Sequence, residues 1–243
     1  MDAISTTNLT KTYGNTVAVD RLNLQIRQGE LFALLGVNGA GKTTTIKMLS
    51  CLTKPTEGDA FLGGRSVSRQ PAAVKKMIAV SPQETAVAKG LSVEENLELM
   101  CGAHGYARNI TSAKIAEIAN LLGLATVLKK RAKTLSGGMQ QRLSIAMALI
   151  SDPEILFLDE PTLGLDVLAR SDLWDLIRAL KGRVTVILTT HYMEEAEALS
   201  DRIGILKDGR LLACGTADEL KKAAGTDDFE QAFVRIVKGV QEC

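Results

Sequence analysis

The sequence predicts an α/β domain with a helical subdomain inserted between its strands. Three observations support this. Leu31-Phe32-Ala33-Leu34-Leu35, Ile155-Leu156-Phe157-Leu158 and Val184-Thr185-Val186-Ile187-Leu188 are short apolar runs of the kind that form buried strands, and Met77-Ile78-Ala79-Val80 reads as another short strand. The first leads directly into Gly36-Val37-Asn38-Gly39-Ala40-Gly41-Lys42-Thr43, which matches Gly, four residues, then Gly-Lys-Ser/Thr. Across residues 90–150 the apolar spacing becomes helical.

A chain of 243 residues is long enough to bury a full core. With 46% hydrophobic and 23% charged residues it has an ordinary globular composition. A formal charge of +1 gives no global field toward nucleic acid or anionic lipid, so no nucleic-acid partner is expected. Met1-Asp2-Ala3 opens without a basic region or an apolar stretch, so no signal peptide is expected. No apolar run reaches the ~20 residues of a membrane span. Any membrane role is therefore expected to come through another chain. Cys51, Cys101, Cys214 and Cys243 lie far apart, without paired metal spacing, and read as reduced thiols.

Taken in order, the first 26 residues alternate in the manner of strands, broken by a turn at Tyr13-Gly14-Asn15. Tyr13 is either core filler or an aromatic face for an adenine ring, and spacing alone does not decide. Gln28-Gly29-Glu30 turns the chain into the first buried strand. In the loop after it, amide groups and a helix N-terminus starting at Lys42 converge on one anion. Lys42 would reach the β- and γ-phosphates, and the Thr43 hydroxyl would ligate Mg²⁺. Thr44-Thr45-Ile46-Lys47-Met48-Leu49 continues that helix.

Pro55-Thr56-Glu57-Gly58 reads as a turn, and Ala60-Phe61-Leu62-Gly63-Gly64 as a short hairpin strand. The strand at Met77 ends at Ser81-Pro82-Gln83, at the edge where ligands bind in open α/β sheets. Gln83 is a candidate for sensing the metal or the attacking water, against the commoner alternative of an exposed loop glutamine. In the insert, Ser92 and Glu95 form a capping box ahead of Val93, Leu97 and Met100. Ile115, Ile118 and Leu122 mark a second amphipathic helix closed by Gly123. Leu135-Ser136-Gly137-Gly138-Met139-Gln140-Gln141-Arg142 then opens a third, with Ser136 as N-cap and Gly137 and Gly138 exposing the first amides. This is a second anion-binding helix start. One nucleotide does not need two from one subunit, which points to a dimer whose copies complete each other's sites.

The strand at Ile155 ends in two carboxylates. Asp159 suits Mg²⁺, and Glu160, expected on the other side of the strand end, suits a general base. Pro161 begins a loop through Leu163-Gly164-Leu165-Asp166, before a helix with Leu173, Leu176, Ile177 and Leu180 inward. The next strand delivers Thr189-Thr190-His191, placing His191 against the terminal phosphate. His104 reads as structural. Two closing strands flank Asp208-Gly209, Thr216 and Glu219 cap a short helix, and Phe229, Phe233, Ile236 and Val237 have the spacing of a tail helix packed on its own domain.

In this order the motifs resemble those of the ATP-binding-cassette ATPase family over nearly the whole chain. The phosphate loop is Gly36 to Thr43, the glutamine loop Gln83 and the signature Leu135 to Gln140. The second acidic motif is Ile155 to Glu160, the D-loop Leu163 to Asp166 and the switch histidine His191. The resemblance implies a RecA-like P-loop core with an N-terminal antiparallel β subdomain. The core with its β subdomain takes residues 1–88 and 152–225, the helical insert 89–151 and the tail 226–243. It further implies an ATPase that hydrolyses ATP with Mg²⁺, bound to the inner face of the cell membrane through a separate permease. Two copies would close head to tail on two ATP molecules. Each ATP would be held by Gly36, Val37, Asn38, Gly39, Ala40, Gly41, Lys42, Thr43 and Thr44 of one copy, with Tyr13 on the adenine. Ser136, Gly137, Gly138 and Gln140 of the other copy would complete the site. The implied catalytic set is Glu160, His191, Gln83 and Lys42, and the metal set Thr43, Gln83 and Asp159.

Thr189-Thr190-His191-Tyr192-Met193-Glu194-Glu195-Ala196 and the tail at Phe229-Glu230-Gln231-Ala232-Phe233 are similar to bacterial exporter cassettes for antibiotics, peptides or sodium. Val37 departs from the proline common there, at a position that contributes backbone geometry. Soluble cassettes of DNA repair, ribosomes or iron–sulfur assembly usually carry tandem cassettes, zinc cysteines, coiled coils or a basic linker, none of which is evident. Importer ATPases, the remaining alternative, often have a larger C-terminal domain than the residues after Gly225 provide.

Overall fold

The computed structural model describes residues 2–239; Met1 and Cys243 lie outside them. The N-terminal strands form an antiparallel sheet. β1 (Asp2–Tyr13) turns at Gly14 into β2 (Thr16–Leu22) and also pairs with β3 (Gln25–Arg27) and β5 (Glu57–Leu62), which continues into β6 (Arg65–Ser66). Its inward side chains Ile4, Leu9, Leu22, Ile26 and Leu62 form one core with Phe32, Phe157 and Ile46. Glu57 and Gly58 belong to β5 and not to the expected turn. Gly58, at φ 72°, lies so close to β1 that a Cβ would meet the Asn8 carbonyl at 2.2 Å. The β1–β5 register breaks there, between Thr7 and Thr10.

The second sheet has the order β11-β10-β4-β9-β8-β7. Its members are β4 (Leu31–Leu35), β7 (Ile78–Ser81), β8 (Ile155–Asp159), β9 (Thr185–Thr190), β10 (Arg202–Lys207) and β11 (Arg210–Gly215). All pair in parallel except the edge strand β11. Every residue of β4, β8 and β9 is buried, because both faces of the sheet are covered. That is why their sequences are apolar runs and not alternations.

α1 (Lys42–Leu49) follows β4, and α2 (Pro71–Lys75), a single turn without a strong sequence signal, precedes β7. The helical region contains α3 (Val93–Ala103), α4 (Arg108–Leu121) and α5 (Gly137–Leu149). α3 opens on the expected capping box, closed in both directions between Ser92 and Glu95. His104 is its exposed C-cap. α6 (Val167–Arg178) starts on an Asp166 cap, and α7 (Met193–Leu199) follows β9. α8 (Ala217–Ala223) has the expected Thr216–Glu219 box, and α9 (Phe229–Lys238) buries Phe229 and Phe233 in the main core. No described helix is long and apolar enough to cross a membrane.

The topology has one functional consequence. β4, β9, β8 and β7 are consecutive neighbours running the same way, so the loops after all four leave the same edge of the sheet.

Candidate nucleotide site

Those loops enclose a cleft of about 420 Å³ lined by residues 38–44 with Ala18, Gln83, Glu160, Leu163 and His191. The backbone of the loop after β4 needs its glycines. A Cβ on Gly36 would stand 2.5 Å from the Leu206 carbonyl, and Gly41 caps α1 at φ 99° with the Ala18 carbonyl equally near. Gly41 has no side chain to cap the helix, so the first amides of α1 face the cleft without competition from one.

Lys42 is 6% exposed. Its ammonium donates to the carbonyls of Gly36 at 2.8 Å and Val37 at 3.3 Å and pairs with Glu160 Oε1 at 3.2 Å. Glu160 Oε2 lies 2.7 Å from His191 Nδ1. Strand alternation predicts Glu160 on the side opposite Asp159, and the structure corrects this. Glu160 takes a left-handed φ of 50°, which ends the alternation and brings both carboxylates to the first turn of α1. Asp159 Oδ1 accepts from Thr43 Oγ1 at 3.2 Å, while Glu160 takes the neighbouring Lys42. Such a backbone costs about 1–2 kcal/mol and persists where its surroundings over-determine it. Here Glu160 N–H donates to both the carbonyl and the hydroxyl of Thr189, at 3.1 and 3.0 Å. The same hydroxyl donates to Asp159 Oδ1 at 2.6 Å. Thr189 thus ties the two carboxylate residues together, a role that sequence reading missed because a buried strand threonine carries no local signal.

Of the remaining predicted residues, Thr44 and Gln83 line the cleft, and Val37 lies exposed on the rim of its loop. Tyr13 is 48% exposed with the Lys11 ammonium 5.0 Å from its ring centroid, and it is not among the lining residues. Ser136, Gly137, Gly138 and Gln140 stand apart from the cleft. Ser136 caps α5 through Met139 N–H at 3.3 Å, and Gln140 Nε2 donates to the Leu135 carbonyl. Gly137 is exposed, and Gly138 packs on α6 so closely that a Cβ would stand 3.0 Å from that of Ala169.

A phosphate loop on a central parallel strand, with a histidine after the neighbouring strand β9 and a carboxylate pair at the end of β8 beyond it, defines a P-loop nucleotide-triphosphate-binding protein. Residues 19–163 match the ABC transporter family, and the chain belongs to that family. It is 43% identical to the daunorubicin/doxorubicin resistance ATP-binding protein DrrA of Streptomyces peucetius, over 93% of this chain and 68% of the relative. It is 38% identical to the linearmycin resistance ATP-binding protein LnrL of Bacillus subtilis strain 168, over 93% of this chain and 73% of the relative. A solved ATP-binding subunit of an ABC transporter superposes with a TM-score of 0.84 at 28% identity, covering 96% of this chain and 99% of that one. The fold is the RecA-like cassette with its antiparallel β layer and helices, and the protein is an ATP-binding, ATP-hydrolysing subunit of the family.

Proposed function

We propose that the chain powers a bacterial exporter of drugs or antibiotics, acting as a head-to-tail dimer on a separate membrane permease at the cytoplasmic face. The placement of Ser136 and Gly137 carries the dimer reading: a glycine-rich helix start lies exposed outside the cleft, available to a second copy. The resistance relatives support the exporter reading.

In the cleft, Lys42 and the loop amides bind the β- and γ-phosphates. A γ-phosphate drawn to Lys42 competes with Glu160 for the ammonium, and this frees Oε1 to accept a proton from water. His191 holds Oε2 and keeps the carboxylate aimed. The Thr43 hydroxyl and Asp159 carboxylate, 3.2 Å apart with Gln83 lining the same cleft, form a hard-oxygen donor set suited to Mg²⁺. Among the described residues no group of three His, Cys, Asp or Glu forms a self-sufficient metal site, which fits an ion that takes its other ligands from phosphate and water. When bound, Mg²⁺ would neutralise charge between the β- and γ-phosphates. Closure on ATP and reopening after hydrolysis would switch the permease through the differing ATP affinities of the open and closed dimers.

Affinity purification from native membranes tests the proposal. An integral membrane protein is expected to accompany the chain, and its absence under mild detergent would sink the permease reading.

A further inference from the structure

Behind the Glu160–His191 pair lies a second carboxyl that does not line the cleft. Glu195 on α7 is 0% exposed. Its Oε1 accepts from Trp174 Nε1 on α6 at 3.1 Å, and the hydroxyls of Thr190 and Thr162 lie beside it. These two threonines are placed for consequence. Thr190 immediately precedes His191, and Thr162 comes two residues after Glu160. Thr162 is also 0% exposed. Among the described residues, Glu195 Oε2 and Thr162 Oγ1 are both buried without a hydrogen-bond partner. A carboxyl and an alcohol in the same dry pocket are complementary, and a small rotation closes a bond that satisfies both.

We propose that Glu195 is a positioning residue for ATP hydrolysis, clasping Thr162 and Thr190 against Trp174 and so holding the two segments that present Glu160 and His191. The proposal rests on the reading of Glu160 as general base with His191 as its holder. Burial pushes the Glu195 carboxyl above the ordinary carboxylate range, and the charge on Glu160 pushes the same way against the two hydroxyls and the indole. The carboxyl can pair one oxygen with a threonine hydroxyl while the other accepts from Trp174, and an amide of the same shape can make both bonds. Hydrogen bonding, and not charge, is what the site requires. Glutamine can do the same work and alanine cannot.

The test is steady-state hydrolysis over a range of ATP concentrations, with the full chain as wild type, Glu195→Gln, Glu195→Ala, Thr162→Val, the Glu195→Ala/Thr162→Val double variant and Glu160→Gln. Glu195→Gln is expected within about threefold of wild type, and Glu195→Ala to lose about tenfold or more in kcat at unchanged KM for ATP, since misplaced groups cost rate more than binding. Thr162→Val should lose kcat severalfold, and the double variant no more than Glu195→Ala alone. A folded Glu195→Ala with wild-type kcat overturns the proposal, as do equal losses in Glu195→Gln and Glu195→Ala, or losses that multiply in the double variant. Should Glu195→Ala not fold, Thr162→Val decides, and a wild-type rate there overturns the proposal. Glu160→Gln separates the two readings. If it hydrolyses normally, the base assignment itself fails. If it is inactive while the Glu195 series is flat, only the positioning role fails.

Discussion

The first turns of α1 and α5 are built from similar parts and sit in different surroundings. Both begin at glycines, and both direct free amides and the positive end of a helix outward. At α1 the helix carries its own buried ammonium, Lys42, and nearby strand ends add Glu160 on that ammonium, His191 on Glu160 and Asp159 on Thr43. At α5 the start offers Ser136 and Gly137 to solvent, with Gly138 pressed on Ala169 and the rest of the helix mostly buried. A helix N-terminus therefore becomes a reaction site only when tertiary neighbours supply the charge. α1 receives them from its own chain, and on the proposed reading α5 lends itself to another copy.

Substitutions break this contrast at different points. The largest effect is expected from Glu160→Gln, which removes the base but keeps the volume. Hydrolysis should fall by about 10²–10⁴-fold with ATP binding retained and a stable ATP-bound dimer on gel filtration. Lys42→Ala comes next, removing charged hydrogen bonds to phosphate, and a loss of about 10–100-fold in nucleotide affinity by fluorescence titration is expected. Unchanged affinity would remove α1's distinction. Ser136→Arg should change monomer affinity least, by less than about twofold, because the residue stands outside the cleft. The same variant should abolish ATP-dependent dimerisation by bulk and charge at the exposed start of α5. A variant that still dimerises would make the two helix starts independent.

Much of the molecule was legible because its signals are local. Capping boxes at Ser92–Glu95 and Thr216–Glu219 span one helical turn and closed as read. The apolar runs at Leu31, Ile155 and Val184 became central strands because burial on both faces leaves no polar alternation, while the run at Met77 became the half-buried edge strand β7. Gln83 and His191 could be placed at one edge because parallel strands share a direction. The misreadings have long-range causes. Glu57 and Gly58 look like turn residues, yet Gly58 is needed where β5 passes over Asn8, fifty residues earlier in the chain.

The chain's own order of residues thus settled which segments are strands, which are helices and which side chains emerge at strand ends, because those depend on period, caps and glycine within a few positions. Folding decided what those side chains face. The left-handed backbone at Glu160, which turns it back to Lys42 and His191, is over-determined by Thr189 on the neighbouring strand. The carboxyl of Glu195 met Trp174, Thr162 and Thr190 only when three separate elements closed around it. Contacts of this kind depend on distances across the packed core, and no spacing along the sequence encodes them.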